Sequence, residues 1–143
     1  MGGLIGTATT TKDGLMSKES YNNCVMRQLP NGYVPNGKSR IWKFQSSRIF
    51  DILICADTGS FKMYHLSSSG NNCMVTTNGY NTTFSMKVYT KDYYVYVEII
   101  TTANSVYSLY KGVIPSNGKG AICSGEVDSS EISSATPVSI TIL

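Results

Sequence analysis

From Arg40 onward, apolar and polar residues alternate along the chain in short runs separated by turn residues. Ile41-Trp42-Lys43-Phe44-Gln45 alternates strictly, and Thr82–Thr90 places Phe84, Met86 and Val88 on one face and Ser85, Lys87 and Tyr89 on the other. Period-two alternation of this kind predicts half-buried strands. The run Arg48–Ala56 (RIFDILICA) is nearly continuous, which predicts a strand covered on both faces or crossing a core, with Cys55 as a small buried hydrophobe. Further strands are expected over Ser60–Leu66, Cys73–Thr77, Tyr93–Thr101, Ser105–Gly112 and, as a weak edge strand, Ala121–Val127. The turns between them are Asp57-Thr58-Gly59-Ser60, the Ser-Gly-Asn stretch before Cys73, Asn78-Gly79, Lys91-Asp92 and Thr102-Ala103-Asn104. Lys91-Asp92 and Thr102-Ala103-Asn104 are each read as closing a hairpin. The last segment, PVSITIL, puts Val138, Ile140 and Ile142 on one face and is expected to form a single strand buried in the core. About eight short strands with regularly spaced turns predict an all-β fold, an antiparallel β-sandwich of jelly-roll-like form.

The first 39 residues read differently. Residues 1–11 lack helical periodicity. A short helix is expected from Ser17 to Val25, where the Ser17 hydroxyl can accept from a free N–H of the first turn and Glu19 complements the helix dipole. Pro-Asn-Gly occurs at 30–32 and again at 35–37, and Pro30 and Pro35 exclude a central strand. The pattern therefore divides the chain into an N-terminal arm, residues 1–39, and a head domain, residues 40–143.

Composition narrows the function classes. Only 15% of the 143 residues are charged, the net charge is +3, and neutral polar residues supply most of the remaining polarity. The basic residues of the first third are interrupted by acids and apolar residues, so no nucleic-acid footprint is read. MGGLIGTA lacks the cationic lead of a signal peptide, and no apolar run is long enough to span a membrane. The four cysteines, Cys24, Cys55, Cys73 and Cys123, are widely spaced and lack C-x-x-C, which argues against zinc; three disulfide pairings are open to them, and without a secretion signal four free thiols are expected.

A search for catalytic sets returns no constellation. His65 is the only histidine, and alternation groups it with Phe61 and Met63 on the expected inward face. The acids are scattered over turns and exposed strand faces. No metal site, no cofactor and no enzymatic activity are expected. The aromatic residues are more informative, because a tyrosine offers a flat face and a polar tip to a protein or sugar surface. Tyr94 and Tyr96 are expected opposite the row Val95, Val97 and Ile99, and with Tyr107, Tyr110 and Trp42 they form the candidate ligand-binding set.

One short stretch carries a resemblance. Gly14-Leu15-Met16-Ser17-Lys18-Glu19, led by the Thr/Ala-rich TATTTKD, resembles a segment of bacteriophage and prophage tail-fibre and baseplate proteins. The match covers about 17 residues and departs from the family at Ser20, Tyr21 and Cys24. The resemblance implies an oligomerisation joint in which Leu15, Met16 and Tyr21 pack near a threefold axis, because a helix this short needs a partner surface. It further implies a homotrimeric virion protein, or a cytoplasmic one when expressed from a prophage. Its partners would be other tail proteins and a bacterial cell-surface glycan or protein. The alternative is a stand-alone carbohydrate-binding or adhesin-type sandwich.

Overall fold

A computed structural model describes residues 25–78, 83–113 and 121–143. The described residues form eleven strands: β1 (Arg27–Val34), β2 (Ser39–Gln45), β3 (Ile49–Ala56), β4 (Phe61–Ser69), β5 (Asn72–Thr77), β6 (Phe84–Lys91), β7 (Tyr94–Thr101), β8 (Val106–Gly112), β9 (Cys123–Val127), β10 (Thr136–Val138) and β11 (Ile140–Ile142). They build two sheets, ordered β1-β8-β3-β4-β5-β11 and β10-β6-β7-β2-β9. We call these sheet A and sheet B. Every pairing is antiparallel except β11 on β5. The expected helix at Ser17–Val25 and the joint residues Leu15, Met16 and Tyr21 lie outside the described residues.

One apolar core joins the two sheets. Sheet A contributes Phe50, Ile52, Ile54, Tyr64, Leu66, Val75 and Val106, and sheet B contributes Trp42, Phe44, Met86, Val88, Val95, Val97 and Ile99. Phe44 stacks on Phe50 across the interior with ring centroids 4.6 Å apart, and Tyr110 meets Phe44 edge-on at 5.6 Å. Such ring pairs add about 0.5–1.5 kcal/mol each beyond their area.

The sheets begin earlier than the composition break at Arg40. β1 pairs with β8 along an edge of sheet A, within the span read as arm. Pro30 is tolerated there because an edge strand leaves one row of N–H groups unpaired. The first Pro-Asn-Gly does not turn the chain; it makes a bulge between Gln28 and Tyr33, with Asn31 left-handed at φ 56°. Gly32 sits against the Leu29 and Ser108 carbonyls, where an added Cβ would come within 2.8 and 2.7 Å. The second Pro-Asn-Gly does turn the chain. Lys38 N donates to the Pro35 carbonyl at 3.0 Å, and Gly37 holds φ 79°.

Three further expectations are corrected. β3 is not covered on both faces: Phe50, Ile52, Ile54 and Ala56 are buried, while Ile49, Asp51, Leu53 and Cys55 are half-buried on the outer face. The turn Thr102–Asn104 does not close a hairpin, because β7 belongs to sheet B and β8 to sheet A. The C-terminal segment is not one strand. It splits at Ser139 into β10, on the β6 edge of sheet B, and β11, beside β5 in sheet A. Val138 and Ile140 still pack against the core, but Ile142 is 65% exposed.

β9 and β10 lie at opposite edges of sheet B, so the chain between them must cross that sheet. The crossing strap carries a short 3-10 turn, Ser129–Ile132. Glu131 pins it: its carbonyl accepts from Lys91 Nζ at 3.2 Å, and its carboxylate lies 3.8 Å from Lys43 Nζ.

Candidate ligand-binding face

The strap decides which aromatic side chains reach solvent. On sheet B, register places Lys43, Tyr96 and Tyr89 in one outward row. Tyr96 does point away from Val95 and Val97, as alternation requires. The strap nevertheless covers it, leaving it buried. Its hydroxyl pKa is raised first by burial, with Lys43 lowering and Glu131 raising it. Tyr94 is half-buried, with the Lys43 ammonium 4.1 Å from its ring centroid.

Two more members of the expected set are also inaccessible. Trp42 is fully buried, and its Nε1 donates to the Pro30 carbonyl at 2.6 Å. Tyr110 is buried against Phe44, with the Arg27 guanidinium 4.3 Å from its ring centroid. Both residues serve the core rather than a surface. Large aromatics on strands often do, since they fit a pleated, half-buried position. Of the expected set only Tyr107 is substantially exposed.

The outer face of sheet A supplies what sheet B withholds. Nothing among the described residues crosses it as the strap crosses sheet B. Register aligns Tyr33 of β1, Tyr107 of β8, Cys55 of β3 and Phe61 of β4 in a single cross-strand row. Tyr33 is 41% exposed, Tyr107 48% and Phe61 67%. The Tyr33 and Tyr107 rings meet at 4.9 Å between centroids, tilted by 50°. Beneath them runs a second row of half-buried Leu109, Leu53 and Met63. A third row is polar: Lys111, Asp51, His65 and Thr76. In it, Asp51 Oδ1 lies 2.7 Å from His65 Nδ1.

His65, Phe61 and Met63 therefore face outward, contrary to expectation. Tyr64 and Leu66 take the inward positions of β4. Both parities of FKMYHL hold large apolar residues, so alternation alone does not choose between them.

Beside Phe61 the face runs into a pocket of about 490 Å³, lined by Thr58, Gly59, Ser60, Phe61, Lys62, Met63 and Asn78. Hydroxyls, a carboxamide and an ammonium thus border an exposed aromatic ring. The β3–β4 turn places them there. The Ala56 N–H donates to the Ser60 carbonyl at 2.7 Å, and Gly59, at φ 93°, allows the reversal.

Reactive chemistry is sparse around this face. Burial raises the Cys55 thiol pKa and pushes those of Cys73 and Cys123 up to about 11, which keeps these thiols protonated at neutral pH. All three are free. Among the described residues no group of three or more His, Cys, Asp or Glu could hold a metal ion. No helix among them is long and apolar enough to cross a membrane. No family model matches the chain, and no characterised protein or solved structure matches it either.

Proposed function

We propose that this protein is a non-enzymatic binding module of the tail-fibre head type, which recognises a bacterial cell-surface glycan with the outer face of sheet A. The observation that carries this reading is the cross-strand row Tyr33, Tyr107 and Phe61, exposed together on the outer face of sheet A and bordered by a polar pocket. Sugar rings have apolar C–H faces and polar rims. Flat aromatic rings pack on the first, and Ser, Thr, Asn and Lys groups bond to the second. A protein receptor is the second reading, favoured by the apolar second row of Leu53, Met63 and Leu109.

The homotrimer, the virion location and contacts with other tail proteins rest on the Gly14–Glu19 resemblance alone. The jelly-roll form of the sandwich has the weakest support, because β3, β4 and β5 follow one another as a meander in one sheet. Oligomeric state separates the tail-fibre head from a stand-alone carbohydrate-binding module.

The test is a glycan array on the purified chain, repeated with the triple variant Tyr33→Ala, Tyr107→Ala and Phe61→Ala. Specific binding by the wild type, lost in the variant with an unchanged circular-dichroism spectrum, is the expected result. Undiminished binding by the variant removes this face from the proposal. Light scattering that finds a monomer at micromolar concentration leaves the module but removes the fibre.

A further inference from the structure

Among the described residues, Arg48 is a buried cation without a counter-ion. Its side chain enters the interior at the start of β3, leaving the residue only 7% exposed. Nη1 donates to the Ser46 and Ser47 carbonyls at 3.2 and 3.0 Å, and Nη2 donates to Gln45 Oε1 at 3.1 Å. These acceptors are neutral. Nε is buried and has no partner. Among the described residues no carboxylate lies within 4.0 Å of the guanidinium. Buried charges are ordinarily paired, since removing an unpaired one from water is costly.

Arg48 lines a cleft of about 400 Å³ together with Gln45, Ser46, Ser47, Asp92, Tyr93 and Tyr94. Two turns form its walls. Ser47 in one, and Asp92 and Tyr93 in the other, hold left-handed φ values of 61°, 52° and 66°. A tyrosine in that region is uncommon, and strained backbone persists where the surroundings fix it. Here the Tyr93 N–H donates to Asn71 Oδ1 at 2.7 Å, and its carbonyl accepts from Ser46 N at 3.3 Å. The result holds a ring that is 69% exposed beside the Arg48 cleft. Of the charged groups nearby, Asp92 lines the cleft, and Lys43 sits against the far residue Tyr94 with Glu131 behind it.

We propose that this cleft is an oxyanion-binding site, in which Arg48 receives a carboxylate, sulfate or phosphate group carried on a ligand that lies against Tyr93. A guanidinium fork suits such groups because it offers several N–H donors in one plane. The site is distinct from the aromatic face. It stands at the beginning of β3, while the Phe61 pocket stands beyond the end of β3. Asp92 opposes the anion and sets its affinity low.

The experiment measures melting temperature and amide chemical shifts in sodium sulfate, phosphate, acetate and glucuronate against sodium chloride at equal ionic strength. A saturable rise in melting temperature is expected, with shifts confined to residues 45–48 and 92–94, because a ligand that binds only the folded state stabilises it. The tetrahedral ions and the two carboxylates separate the two chemistries. Arg48→Gln should abolish the response. Asp92→Asn keeps a residue that tolerates the left-handed turn and should tighten binding about tenfold. The proposal fails if Arg48→Gln responds like the wild type, or if shifts spread over the whole surface. It also fails if Asp92→Asn lowers the melting temperature by several degrees without improving binding, since Asp92 is then the counter-ion of Arg48. If Arg48→Gln does not fold, Asp92→Asn decides alone.

Discussion

Trp42, at the centre of β2, donates its indole N–H to the carbonyl of Pro30, in the bulge of β1, over 2.6 Å. This bond ties an edge strand of sheet A to a core residue of sheet B. It explains why a buried tryptophan occurs where an aliphatic side chain would fill space, since a buried indole N–H needs an acceptor. It also gives the Pro30 carbonyl a partner at a point where the bulge interrupts the ladder with β8.

Replacing Trp42 with Phe should therefore cost more than the lost volume. The cavity and the unpaired carbonyl together should destabilise the fold by about 2–4 kcal/mol. Equilibrium urea unfolding measures this. A loss under about 1 kcal/mol would show that the bulge holds without the indole bond.

A second link closes the same corner from outside. Glu126 of β9 accepts from Asn31 Nδ2 at 3.0 Å and from Arg40 Nη1 at 3.1 Å. The Asn31 bond and then Arg40 hold its carboxyl pKa below the ordinary 4.5. A carboxylate whose folded pKa is depressed stabilises the fold above its unfolded pKa and loses that contribution as pH falls through the folded value. The pair is partly exposed, so the contribution should stay under about 1 kcal/mol. Glu126→Gln should accordingly melt slightly lower than wild type at pH 7, and the gap should close below pH of about 4. A gap that persists at low pH would assign the effect to lost packing instead.

The β6–β7 hairpin offers a test in the opposite direction. Register pairs Lys91 with Tyr94, leaving Asp92 and Tyr93 as a two-residue loop with both φ values positive. Such loops favour glycine at the second position. Tyr93→Gly should raise stability by up to about 1 kcal/mol by relieving that strain. Differential scanning calorimetry reads the change. A lower melting temperature would mean that the Tyr93 ring, which lies beside Gly70, contributes more by packing than its backbone costs.

Removing residues 137–143 should destabilise both sheets at once. Val138 and Ile140 pack against the core at separate edges, on β6 and β5. Full burial of such a side chain contributes about 1.5–3 kcal/mol, and these half-buried ones contribute less. The deletion also uncovers two strand edges, which invites aggregation. We expect the truncated chain to melt at least 10 °C lower, by about 3 kcal/mol. An unshifted melting curve would show that neither short strand supports the core.

The strands from β2 to β9 were legible because period-two alternation and turn residues both mark them. Phe84, Met86 and Val88 fall on the inner face as the pattern requires. β1 was not legible, since its bulge breaks the alternation and its Pro30 is admissible only at an edge. The switch at Ser139 was equally hidden: PVSITIL alternates as one strand would, and only the positions of β5 and β6 divide it. The aromatic set failed for a related reason. Which face of a strand is covered depends on what crosses it, and the strap that buries Tyr96 lies far along the chain. Tyr33 was missed because it sits in the segment read as arm, although its place two residues before Pro35 gave no sign of Tyr107 beside it. Arg48 could have been noticed as a charge at the head of the largely apolar run Arg48–Ala56.

The strap across sheet B also gives the domain a front and a back. Among the described residues, one broad side is crossed by the strap and the other carries the exposed Tyr33, Tyr107 and Phe61 rings. Under the proposed binding role, each copy would offer a partner that open side. Tight attachment to a repetitive surface would then come from valency: several copies whose open sides point the same way, each loose on its own, convert later contacts into intramolecular ones and multiply the residence time.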